Sequence, residues 1–168
     1  MNSKLSYSKT ASGAKFFSKT GILMAVVSFF GLLDSSYLAS KHYSGTLPPC
    51  GLFQGCDVVT TSKFAEIGGV SVALLGAIYY LVVLLVSIIY LQTKNKKILF
   101  FLSLFVPVGF AASAWFFFVQ AFVLKYFCAY CLFSAFTSTT LFVIGLATFF
   151  RLKKEIHTGV LQENPAGL

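Results

Sequence analysis

Four cysteines are the residues in this chain whose type and spacing could do chemistry. Cys128-Ala129-Tyr130-Cys131 is a C-x-x-C pair. At spacing i, i+3 the two sulfurs share one face of a helix and can form a disulfide. Lys125 is the last charge before the pair and Arg151 the first after it, so the pair opens a long apolar segment. The first turn of a helix carries unpaired N–H groups and the positive end of the macrodipole. Both stabilise a thiolate and lower the thiol pKa, most of all for the N-terminal cysteine, and such a dithiol exchanges readily with other disulfides. The other two cysteines, Cys50 and Cys56, bracket Gly51-Leu52-Phe53-Gln54-Gly55. A loop this short gains little from a permanent staple. The pair is therefore read as mobile, able to reach both a soluble partner and the buried dithiol. Cys50, Cys56, Cys128 and Cys131 are the candidate catalytic residues of a redox relay.

A relay needs an electron sink. There is no C-x-x-C-H haem motif and no glycine-rich dinucleotide fingerprint. Four thiolates could hold zinc, but a closed tetrahedral site would lock the loop onto the helix with no catalytic opening, so no metal is expected. A lipid-soluble quinone held between helices is the acceptor consistent with an apolar setting. The run Trp115-Phe116-Phe117-Phe118 would suit its ring, although such a run equally suits lipid-facing packing.

The elements that position the cysteines are membrane helices. Of the 168 residues 57% are hydrophobic and 11% charged, too little charge to cover a soluble domain of this size. Four apolar runs occupy about 20–40, 67–93, 97–125 and 128–150, each long enough to span a bilayer. The fold class expected is an all-α membrane protein, a four-transmembrane-helix bundle with a short extra helix (57–65) in the first outward loop. The catalytic domain is 20–150, the outward loop 41–66, and 1–19 and 151–168 are polar tails. The first run is read as a retained span, not a cleaved signal. Gly31, Ser35 and Ala39, and likewise Gly69, Ala73 and Ala77, form small-residue stripes where helices can approach closely. Pro107 with Gly109 is expected to bend the third span. Asp34, the one acid inside a span, lies near the outer end, where hydration is its expected role.

The net charge of +8 does not mark a nucleic-acid binder, because the basic residues sit at the edges of apolar runs. Ten of the 13 Lys and Arg residues are Lys4, Lys9, Lys15, Lys19, Lys94, Lys96, Lys97, Arg151, Lys153 and Lys154. The positive-inside rule puts that side, with both termini, in the cytoplasm. The cysteines then face outward, which in a bacterial inner membrane is the oxidising side.

Cys50…Gly55-Cys56-Asp57-Val58-Val59…Ser62, Gly69-Val70-Ser71-Val72-Ala73-Leu74-Leu75-Gly76 and Phe127-Cys128-Ala129-Tyr130-Cys131-Leu132-Phe133-Ser134-Ala135 together resemble the vitamin K epoxide reductase family in its bacterial branch. In that family a loop pair comes first and the C-x-x-C opens the last core helix. The resemblance implies a four-helix bundle around a quinone (ubiquinone, menaquinone or similar). It implies that Cys131 lies next to the quinone and that Cys128 exchanges with the loop. Ser62 matches a serine the family places near the site. Ser71 stands where many bacterial members have proline, and Ala135 where vertebrate members have tyrosine, which does not favour vitamin K epoxide as substrate. No fused thioredoxin-like domain follows the fourth span, so the expected partner is a separate thioredoxin-like periplasmic protein. The activity implied is thiol:quinone oxidoreduction in disulfide-bond formation. The alternative from another class is a non-catalytic four-helix scaffold with structural disulfides.

Overall fold

The structure is a computed structural model that describes residues 3–46 and 55–162. Among the described residues four helices are long and apolar enough to cross a membrane, and the chain is a multi-pass all-α membrane protein. Helix α1 (Ser3–Tyr43) carries the first span from Phe16. It runs back through the expected polar tail, since Ala, Ser and Lys tolerate helix and no proline interrupts them. Helix α3 (Val72–Thr93), helix α4 (Lys96–Phe118) and helix α5 (Ala129–Gln162) supply the other three. α1 packs most extensively on α3 and α4 on α5, while α1–α5 and α3–α4 contacts close the bundle.

In lipid every backbone polar group must be satisfied within the protein. Hydroxyls inside the spans follow the same rule by bonding back to their own helix. Ser28 donates to the Met24 carbonyl, Ser87 to Val83 and Thr148 to Ile144, each at 2.7 Å. Met24, Tyr80, Val83, Leu99, Val106 and Leu141 form the dry core. Phe29, Phe30, Phe101, Phe122, Phe136 and Phe150 are exposed on the outside of the bundle, where lipid would cover them.

The small-residue stripe of α1 is used as expected. Gly31, Ser35 and Ala39 are all buried, and the Tyr80 ring of α3 lies against Gly31. The second stripe differs. Gly69 is not helical: Gly68 and Gly69 (φ 62° and 81°) make the turn of a hairpin joining β1 (Glu66–Ile67) to β2 (Val70–Ser71). A two-residue turn with positive φ at both positions matches strand twist, and glycine adopts it without strain. That preference overrides the apolar run, and α3 begins only at Val72. The extra helix α2 is also shorter than expected, Cys56–Thr60. Pro107 lies inside α4, and Gly109 beside it makes room for the Tyr79 ring. At the opposite end from the cysteines, Lys94 in the left-handed region and the Asn95 cap, whose side chain accepts from the Lys97 N–H at 3.0 Å, turn α3 into α4.

Two glycines give a paired test of this packing. A Cβ on Gly31 would run into the Tyr80 ring, whereas one on Gly145 would make ordinary contact with Val106 at 3.6 Å. G31A is expected to cost about 1–3 kcal/mol through overpacking. G145A should be neutral or stabilise by up to about 1 kcal/mol through helix propensity. Thermal melts of the purified variants in detergent measure both.

Candidate functional site

The site lies at the bundle end where α1 stops, α2 sits and α5 starts. α4 continues into a six-residue π-helical segment, Val119–Leu124, ended by Lys125 at φ 58°. The wider π turn directs Gln120 inward. Its side chain is buried, and its Oε1 accepts the Cys128 N–H at 2.9 Å. That N–H belongs to the residue just ahead of α5 and has no carbonyl of its own helix to bond, so Gln120 fixes the entry of the C-x-x-C segment. Sequence reasoning missed Gln120. The available signal was an amide in an otherwise apolar span, which needs a partner in the protein.

The loop reaches the dithiol through a second missed residue. Gly55 lies against the backbone before Cys128: a Cβ there would stand 2.8 Å from Tyr126 Cβ, 3.0 Å from the Phe127 oxygen and 3.1 Å from the Phe127 nitrogen. Only glycine permits that approach. Cys56, the next residue, is thereby packed into one buried cluster with Val59 and Cys128, flanked by Leu124, Tyr130 and Cys131. Cys56 is disulfide-bonded, and Cys128 and Cys131 are free thiols. Cys50 lies outside the described residues.

The Cys131 thiol, hydrogen-bonded to Cys128, holds the Cys128 thiol down to about 7, and the backbone N–H groups of Cys131 and Tyr130 assist. Burial opposes this without cancelling it, as does the Asp34 carboxyl when it is ionised. Cys128 is therefore substantially thiolate near neutral pH.

Cys131 has a different outlook. It lines a cavity of about 310 Å³ between the four helices, and Cys128 does not. Leu38, Val72, Leu75, Val108, Ala112 and Phe116 supply much of the apolar wall. Hydroxyls line one side: Tyr80 Oη lies 2.7 Å from Thr137 Oγ1 and donates to the Ser134 carbonyl at 2.8 Å, and Ser138 Oγ donates to Ser113 Oγ at 2.7 Å. Asp34 and His42 of α1 are also in the wall. His42 Nε2 meets Glu66 at 3.1 Å, tying the end of α1 to the hairpin at the cavity mouth. A small apolar cavity with a few polar groups is the usual form of a small-molecule site, and an aromatic ring with two carbonyl oxygens fits its chemistry.

Of the aromatic and serine candidates, only Phe116 lines this cavity. Trp115, one residue and about 100° away on the helix, is 59% exposed on the outside and stacks on Phe118. Ser62 donates to the Val59 carbonyl at 2.8 Å. It lines a second cavity with Thr61, Glu66 and His42, and so supports the end of α2 without facing Cys131. Among the described residues no group of three or more His, Cys, Asp or Glu could hold a metal ion.

The family model described as the Vitamin K epoxide reductase family matches residues 22–146, most of the chain and all four cysteines. No curated protein matches the chain.

Alkylation of the reduced protein tests the thiol assignment. The rate at Cys128, followed by mass spectrometry of its peptide, should rise with pH and reach half its plateau near pH 7, because the depressed thiol loses its proton there. C131A removes the largest stabilising contact and should move that midpoint upward.

Proposed function

The chain belongs to the vitamin K epoxide reductase family, and we propose that it is a membrane thiol:quinone oxidoreductase that reoxidises a separate thioredoxin-like disulfide-forming protein. The observation that carries this is the split of one dithiol between two environments. Cys128 packs with the loop cysteine Cys56, and Cys131 lies in the wall of the cavity. Two sulfurs one helical turn apart can then exchange with a protein disulfide on one side and with a small molecule on the other.

On this reading Cys50 and Cys56, which bracket one short loop in the sequence, form the disulfide that meets the partner. A partner thiolate attacks this disulfide, takes the Cys50 sulfur and releases Cys56. A second partner thiolate then displaces Cys50, leaving the loop reduced and the partner oxidised. The Cys56 thiolate attacks Cys128 in the oxidised Cys128–Cys131 pair, and Cys131 leaves. Cys50 attacks Cys56, closes the loop disulfide and releases Cys128 as a thiolate, a good leaving group because its pKa is near 7. A quinone bound in the cavity accepts two electrons and two protons. Closure of the Cys128–Cys131 bond supplies those electrons and returns the site to its starting state. Phe116 would hold the ring, and the Ser113 and Ser134 hydroxyls in the same wall would face its oxygens. The basic ends of the helices support cytoplasmic termini and a periplasmic dithiol in a bacterial inner membrane.

Purified protein, ubiquinone-1 and either a reduced thioredoxin-like protein or dithiothreitol test this. C131S should lower quinone reduction from both donors by at least about 100-fold. C56S should block the protein donor while dithiothreitol still reduces the C-x-x-C directly. Full activity of C131S would sink the mechanism and favour a structural role for the cysteines.

A further inference from the structure

The reaction proposed above moves protons as well as electrons, and the cavity holds an acid that it does not yet use. Asp34 was expected to be hydrated at the end of its span. It lies in the wall of the cavity that Cys131 lines. Asp34, Leu38 and His42 follow one another at spacing four on α1, and all three face this cavity. Leu38 and His42 also line the second cavity near the loop, so this face of α1 runs from the aqueous end inward to Asp34. A carboxyl group inside a membrane span is costly and marks function by default.

The other titratable groups in the wall are already engaged. From α3, Tyr79 donates to the Val106 carbonyl at 3.1 Å, and Tyr80 is bonded to Ser134 and Thr137. From α1, His42 is held by Glu66 of the hairpin at 3.1 Å. From α5 the titratable group is Cys131, and α4 contributes only Val108, Gly109, Ala112, Ser113 and Phe116. Among the described residues no cation and no hydrogen-bond donor pairs with the Asp34 carboxylate.

We propose that Asp34 is the proton-transfer residue of this site, carrying a proton from the Cys131 thiol to a carbonyl oxygen of the bound quinone. The inference rests on the quinone reading above. In its protonated form Asp34 gives its O–H proton to that oxygen as two electrons arrive from the dithiol. The carboxylate so formed takes the proton lost from Cys131 as the Cys128–Cys131 bond closes. Cys128 enters the step as a thiolate, its proton already given to water at the loop end, and one proton from water reaches the second quinone oxygen. Dithiol has become disulfide, quinone has become quinol, and Asp34 ends as it began.

The test uses full-length protein in liposomes with ubiquinone-1 and dithiothreitol. D34N should lower kcat by roughly 100-fold, the low end for loss of a general acid–base group, with KM for ubiquinone-1 little changed. It should also flatten the pH dependence of kcat, and D34E should restore much of the rate. Infrared difference spectra of the oxidised protein, with and without ubiquinone-1, add a readout independent of turnover. A carboxylic-acid C=O band should shift on binding in wild type and be missing in D34N. Wild-type turnover with D34N within about twofold of it, or no carboxyl band responding to ubiquinone-1, overturns the role of Asp34 and leaves the quinone reading standing. A wild-type protein that cannot reduce ubiquinone-1 overturns both.

Discussion

With no Cβ at residue 55, the loop backbone lies directly against Tyr126 and Phe127, and this close approach is the constraint on which the cysteine-bearing end depends. It carries Cys56 into the same buried cluster as Cys128. Gln120 completes the arrangement from below by accepting the Cys128 N–H. Two backbone-level contacts, one from a glycine and one from an amide, thus hold the start of α5 between a loop and a cavity. Everything chemical about the pair follows from its position there. One sulfur, its thiol held down to about 7, lies beside a disulfide-bonded cysteine, and the other stands in an apolar wall.

The membrane part of this architecture was legible in the sequence because the bilayer imposes length and polarity on each span. The four runs, the glycine stripe of α1 and the placement of the C-x-x-C at the start of the last span are all found in the structure. What the apolar runs hid was local backbone chemistry. Gly68-Gly69 sits in an uncharged stretch and reads as helix by hydropathy, yet its positive φ angles make a hairpin turn. The continuation of α4 as a π segment leaves no mark in composition, so Gln120 looked like one more residue of the span. Gly55 read as loop flexibility, whereas its role is close approach. Trp115 and Phe116 show the limit of compositional reading most plainly, since adjacent aromatics on a helix cannot share a face.

Asp34 belongs to the same lesson. Its distance along the span placed it near the boundary, where water is the simplest partner. The fold brings a cavity to that level, lined by four helices and the hairpin. On the proposed reading electrons and protons have separate carriers: the thiols of the loop and of α5 pass the electrons, and the Asp34 carboxyl of α1 passes a proton across the cavity.

The central claim is that Cys128 faces the loop and Cys131 faces the cavity. The most direct measurement is peptide mapping of the disulfides in C131S and C128S proteins, purified without reductant. In C131S the lone Cys128 thiolate should attack the loop disulfide and remain joined to Cys56, giving a linked peptide in high yield. C128S should give no comparable link from the loop to Cys131. A loop-to-Cys131 peptide in C128S as abundant as the Cys56–Cys128 peptide in C131S, or no link in either variant, would contradict the account.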